Sequence, residues 1–198
     1  MTSSTLAIKR LDATQADFRA QLDAHLQREM IVADEVTATV SGILADVRSR
    51  GDEAVLDYTQ RFDGFEATEL RQLSVSREQM LESLESLEPQ QREALTIAAD
   101  RIRSYHEKQK QESWQYTEED GSVLGQKVSP LERVGIYAPG GKANYPSSIL
   151  MLAIPAQVAG VKEIIATVPT QYGEQGKLVF AAAALAGVTQ LYTIGGAQ

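Results

Sequence analysis

Apolar residues recur at two different spacings along this chain, and the change falls near residue 130. In the first part, Val36, Val40, Ile43, Leu44 and Val47 follow one another at intervals of three and four. That spacing puts side chains on one face of an α-helix. The helix is predicted to end near Gly51, because glycine commonly follows a last helical turn. Ahead of it, 6–11 reads as a short strand, and Thr14 is a candidate cap for a helix that takes in Phe18, Leu22 and Leu26. Behind it, a helix over 52–62 turns Ala54, Leu56 and Tyr58 inward, and 70–75 reads as a strand. Ser76 and Gln79 have the spacing of a capping box at a helix start. The longest helical pattern covers 90–114, with Leu95, Ala98, Ala99, Ile102 and the Tyr105/His106 pair on one face and Trp114 anchoring its end. Glu119, Asp120 and Gly121 mark a turn, after which 122–128 reads as a strand.

From Val134 the pattern becomes short apolar strands alternating with helices. Strands are predicted over 134–137, 163–168 and 190–194, and helices over 146–159 and 174–186. Pro146 suits a first helical turn, where its missing N–H costs nothing. Pro155 falls in mid-helix and is expected to kink or split it. Gly160 and Gly187 stand where helix C-caps are expected. Strand–helix alternation of this kind implies parallel strands. The fold class is therefore α/β: a mainly helical N-terminal part followed by an incomplete Rossmann-like parallel sheet with flanking helices. The organisation reads as an N-terminal segment with a helix (1–30), a helix-rich α/β part (31–132) and a truncated nucleotide-binding domain (133–198). Three parallel strands without a further crossover leave a sheet edge open, and the expectation is that this is the N-terminal piece of a longer protein.

Composition narrows the class. At 198 residues, with 43% apolar and 23% charged positions, the chain has ample material for a core. A net charge of −8 argues against nucleic acid as a main partner and against a polybasic membrane surface. The absence of cysteine excludes disulfides, thiolate chemistry and cysteine-ligated zinc. With only His25 and His106, a self-contained histidine-rich metal site is not expected. No apolar run approaches the roughly 20 residues of a membrane span, and residues 1–6 carry no secretory signal pattern. The expectation is a cytoplasmic protein.

Candidate chemistry gathers at Arg133-Val-Gly-Ile-Tyr-Ala-Pro-Gly-Gly141 and Tyr145-Pro-Ser-Ser-Ile-Leu-Met151. A strand runs there through a glycine turn into a helix start, where backbone N–H groups and the helix dipole favour an anionic ligand. The G-x-G-x-x-G spacing is absent, so physics alone makes the signal moderate.

These two segments, together with Arg50-Gly-Asp-Glu-Ala54, Tyr58-Thr-Gln-Arg-Phe-Asp-Gly64, the His106-Glu-Lys-Gln109 stretch and Ile194-Gly-Gly-Ala-Gln198, resemble the histidinol dehydrogenase family in order and spacing. The resemblance implies a zinc- and NAD-dependent homodimer that oxidises L-histidinol through the aldehyde to L-histidine, closing histidine biosynthesis. It also implies that Tyr137 and Gln198 contact NAD, with Phe62 and Pro139 near the cofactor. The family's zinc ligands and its acid–base pair fall in a second half, so the resemblance carries no catalytic or metal-binding residue onto this chain and implies that the chain alone is inactive.

Each tempting residue also has a plainer reading. His106 is a base or ligand, or a partly buried helix histidine; the lack of a partner at i+4 favours the second. His25 is a surface or dimer-contact residue. Ser147 and Ser148 are phosphate donors or helix-capping serines. Gly140 and Gly141 make a tight turn with or without a phosphate, and Lys142 is a phosphate partner or an exposed loop lysine. The acidic run Glu118-Glu-Asp120 reads as solvated. For the chain as a whole, two other readings stand beside the enzyme: a non-catalytic nucleotide-binding or interaction module, and a helical dimerisation fragment.

Overall fold

A computed structural model of the chain describes residues 10–139, 145–169 and 174–196. They fall into two compact units, 1–50 and 51–198.

The first unit is dominated by α1 (Phe18–Arg50), a single helix of 33 residues that runs unbroken through residue 30. Thr14 does not cap it. Its backbone N–H and its hydroxyl both donate to Asp12 Oδ1, at 2.9 and 2.7 Å, and the helix begins four residues later. Asp12 is correspondingly held below the usual carboxylate range, first by the Thr14 hydroxyl and then by the Thr14 N–H. Val36, Val40 and Leu44 of the apolar stripe are exposed, and so are Leu26 and His25 of the preceding turns. The predicted strand over 6–11 lies largely outside the described residues.

The second unit opens with α2 (Asp52–Tyr58), whose first turn carries Asp52 and Glu53, the charge sign that its dipole favours. The predicted helix over 52–62 does not continue as α-helix. It widens into a π-type turn over Thr59–Asp63. The predicted strand over 70–75 is mostly a 3-10 turn (Leu70–Leu73), because Glu69 and Gln72 cap it reciprocally, and only β1 (Ser74–Val75) is extended. Ser76 then starts α3 (Arg77–Glu85). The Gln79 N–H donates to the Ser76 hydroxyl at 3.2 Å, and the Ser76 N–H donates to Gln79 Oε1 at 2.8 Å. The predicted capping box is thus present in both halves.

The long helix α4 (Pro89–Glu107) ends earlier than its pattern predicts. Residues 108–113 are all polar, so nothing continues the apolar face. Trp114 instead opens a hairpin of β2 (Trp114–Thr117) and β3 (Val123–Gln126), with its ring 6.3 Å from Tyr116. Every residue of both strands is exposed, Trp114 at 55%. The acidic run lies at the hairpin turn, where Asp120 Oδ1 accepts the Ser122 N–H at 2.8 Å; that bond holds its carboxyl below the usual range.

The remaining elements are β4 (Arg133–Tyr137), α5 (Pro146–Ala159), β5 (Glu163–Thr167), α6 (Glu174–Leu185) and β6 (Gln190–Tyr192), close to the predicted bounds. β4, β5 and β6 are parallel neighbours. Beyond β6 the sheet order continues to β1, which pairs with it antiparallel. The edge that the parallel strands alone leave open is therefore partly closed by a two-residue strand from far upstream. Gly160 (φ +92°) and Gly187 (φ +76°) take the left-handed conformation that ends their helices.

Pro155 does not split α5. Met151, the residue whose carbonyl loses that N–H, is 61% exposed.

The core follows strand alternation. Val134, Ile136, Ile164, Ala166 and Leu191 point into one cluster with Ile149, Leu150 and Ile154 of α5 and Phe180 of α6. Each fully buried Ile or Leu in it contributes about 1.5–3 kcal/mol. The run Ala181 to Ala183 is buried too, and these small side chains let α6 approach α3 and α5 closely. Polar ties fix the helices outside that core. Arg103 of α4 donates to Gln157 Oε1 at 3.2 Å and to the Leu185 carbonyl at 3.5 Å, and Lys177 Nζ donates to the Ser86 carbonyl at 2.7 Å.

Ser76→Ala removes one half of the capping box. It is expected to cost about 1 kcal/mol and to lower the thermal midpoint by roughly 2–4 °C. Thermal denaturation followed by circular dichroism checks this, and an unchanged midpoint contradicts it.

Candidate functional site

Because β4, β5 and β6 are parallel, their C-terminal ends share one edge, the edge at which open α/β sheets bind ligands. Two extra ladder bonds carry the pairing past the strand ends: Ala138 N–H to the Thr167 carbonyl at 3.1 Å, and Val168 N–H to the Tyr192 carbonyl at 3.0 Å. Residues on the side of the sheet away from the α5–α6 core form rows across it. The last row is Tyr137–Thr167–Tyr192. At the other end, Arg133 Nε lies 2.6 Å from Glu163 Oε2. That pair is mostly exposed and is worth little to stability.

Tyr137 stands at the end of β4 with 41% of its surface exposed. Ala138 behind it is buried and Pro139 is exposed. Phe62, at the far side of the edge in sequence terms, is 44% exposed. It lies on the π-type turn with its ring stacked on Tyr58, centroids 5.5 Å apart and planes within 2°. Thr59 in the same turn is fully buried, and its Oγ1 has no hydrogen-bond partner. An unsatisfied hydroxyl of that kind costs about 1–3 kcal/mol, and π-type turns are frequent at functional sites.

The turn after β6 meets that region directly. Asp63 Oδ2 accepts the N–H groups of Gly195 and Gly196, at 3.0 and 3.4 Å. A Cβ on Gly196 would collide with the Phe62 ring, and one on Gly195 would collide with Asp63 and Pro169. Both glycines are thus required by close approach. Of the predicted cofactor residues, the structure brings Phe62 to the turn that leads to Gln198. It puts Tyr137 and Pro139 at the end of β4, two strands away in the sheet. Gln198 itself lies outside the described residues, as do Gly140, Gly141 and Lys142. Sequence reasoning missed Asp63, whose partner is 132 residues away, and it missed the Thr167–Tyr192 continuation of the Tyr137 row.

The plainer alternatives separate cleanly. His106, half-buried near the end of α4, donates from Nδ1 to Gln109 Oε1 at 2.6 Å. It lines a cleft of about 500 Å³ with Lys110, Pro130, Pro155 and Val158. That cleft lies by the C-terminal half of α5, hence away from the strands' C-terminal edge. No serine side chain caps α5: Tyr145 holds the cap position and Pro146 the first turn. Among the described residues no group of three or more His, Asp or Glu side chains is placed to hold a metal ion. The C-terminal edge carries two partly exposed aromatic residues: Tyr137 at 41%, and Phe62 at 44% with its ring stacked on Tyr58 and the Arg61 guanidinium 5.2 Å from its centroid. No helix of the described residues is long and apolar enough to cross a membrane.

Fold and edge together define an α/β protein with a parallel sheet and a ligand-type edge at its strand ends. The sequence model of histidinol dehydrogenase matches residues 26–198. A histidinol dehydrogenase of Dechloromonas aromatica is 55% identical over 193 residues, covering 98% of this chain and 45% of the relative. One of Pseudomonas savastanoi pv. phaseolicola is 56% identical over 198 residues, covering 100% of this chain and 44% of the relative. The crystal structure of histidinol dehydrogenase from Elizabethkingia anophelis superposes with a TM-score of 0.72 at 30% identity, over 82% of this chain and 37% of that one. The chain belongs to the histidinol dehydrogenase family. It spans less than half the length of the curated relatives that it matches.

Gly196→Ala is expected to push Phe62 off Tyr58 and to cost about 1–3 kcal/mol, the usual range for overpacking. Combining it with Phe62→Ala removes the clash, so the double variant is expected to lose less than the sum of the two single losses. Denaturant unfolding of all three variants checks this, and simple additivity contradicts it.

Proposed function

We propose that this chain supplies the first part of a zinc- and NAD-dependent L-histidinol dehydrogenase, a cytoplasmic homodimer that oxidises L-histidinol through L-histidinal to L-histidine. The observation that carries the reading is family membership along residues 26–198, at more than half identity to relatives that bear that name. The parallel-strand edge supports it. Tyr137, 41% exposed at the end of β4, offers a ring to the cofactor, Phe62 offers the partly exposed edge of a ring already stacked on Tyr58, and Pro139 carries no N–H that burial beneath a ligand would leave unpaired. Gln198 bears a carboxamide that can both donate and accept. When bound, NAD⁺ supplies the hydride acceptor. The zinc ligands and the acid–base groups belong to the portion that the relatives have beyond this chain.

Two outcomes test the reading. Pure 198-residue chain is expected to form no NADH from L-histidinol, NAD⁺ and zinc, whereas the protein carrying the relatives' second half turns over. Zinc-dependent NADH formation by the chain alone overturns the division of labour, and failure of both proteins overturns the dehydrogenase reading. In the longer protein, Tyr137→Ala is expected to raise KM for NAD⁺ about tenfold, the order of a lost aromatic stacking contact, with KM for histidinol within twofold. An unchanged KM for NAD⁺ contradicts the role of Tyr137.

A further inference from the structure

Two successive backbone N–H groups aimed at one point form a small anion-binding concavity, and after a parallel strand such a pair commonly receives a phosphate. At Gly195 and Gly196 the pair is already filled by the chain's own anion, Asp63 Oδ2. The same strand end is tied from another side, where the Thr193 N–H donates to the Leu73 carbonyl at 2.7 Å. Phe62, the residue before Asp63, packs so close to Gly196 that no side chain fits between them. The π-type turn and the β6 turn therefore form one clasp.

We propose that Asp63 is a positioning residue for the cofactor. Its carboxylate locks the β6 turn against the Phe62 turn, holds the partly exposed Phe62 ring at the strand-end edge, and keeps phosphate out of the Gly195–Gly196 amides. The inference rests on the NAD reading above and adds a residue to it. It also puts the cofactor's diphosphate away from these two amides, whose donors Asp63 already occupies.

Asp63→Ala and Asp63→Asn test this by two routes. In the 198-residue chain, nuclear magnetic resonance reads the Gly195 and Gly196 amides. Asp63→Ala is expected to speed their hydrogen exchange at least tenfold and to make both resonances move on titration with inorganic phosphate, to which the unaltered chain does not respond. In the protein carrying the second half, Asp63→Ala is expected to raise KM for NAD⁺ at least tenfold, leaving kcat and KM for histidinol within twofold. Asp63→Asn keeps an acceptor without the charge, so it falls between the two on both routes. It also carries the test if the alanine variant does not fold. Unchanged amide exchange overturns the clasp. Faster exchange with an unchanged KM for NAD⁺ makes Asp63 purely structural and overturns its positioning role. If the unaltered longer protein uses no NAD⁺, the functional reading fails and takes the positioning role with it, while the exchange data still report on the clasp alone.

Discussion

The packed seam between the three parallel strands and the helices α5 and α6 is the constraint on which the rest of the second unit depends. Alternate residues of each strand, from Val134 to Leu191, enter one cluster with Ile149, Ile154 and Phe180. Period-two alternation leaves no freedom in register: a slip of one residue would send Ile164 and Ala166 to solvent and bring Glu163 and Thr167 into the core. Fixing that register fixes where each strand stops. Tyr137, Thr167 and Tyr192 consequently end in one row, and that shared strand-end edge follows from core packing rather than from any local motif.

The helical elements act on that edge from a distance. α3 and α4 brace α6 and α5, with Lys177 and Arg103 satisfying carbonyls at Ser86 and Leu185. Such contacts stabilise the scaffold and keep its strand ends still, as a binding edge requires. The segment between α2 and α3 has a more direct part. It contributes β1 to the sheet, ties Leu73 to Thr193, and sets Asp63 and Phe62 against the β6 turn. A stretch with little regular structure of its own thereby closes one side of the site.

How much of this was legible in the sequence depended on whether the signal was local. The Ser76–Gln79 capping box, Pro146 at a first turn, Gly160 at a C-cap and the three parallel strands each carry their cause within a few residues, and each was readable. Pro155 lies within one continuous α5, so of the two effects expected of it splitting does not occur. The end of α4 misled: Trp114 looks like a helix anchor until the polar run ahead of it is weighed. β1 is too short to show any period. Asp63 sits in a turn whose partner amides are 132 residues away, so no window of sequence could have linked them. Tyr137 and Phe62 stand out in the sequence only through resemblance; the fold puts the first at the end of β4 and the second against the β6 turn.

On the proposed reading, the strand ends of this chain take the cofactor and the relatives' second half takes the metal. A crystal structure of the longer protein with NAD⁺ bound measures that most directly. The account requires a cofactor ring over the C-terminal ends of β4 to β6 in contact with Tyr137, with the diphosphate clear of the Gly195–Gly196 amides and Asp63 still bonded to them. Cofactor bound in the cleft beside His106, or diphosphate seated on the Gly195–Gly196 turn in place of Asp63, would contradict it.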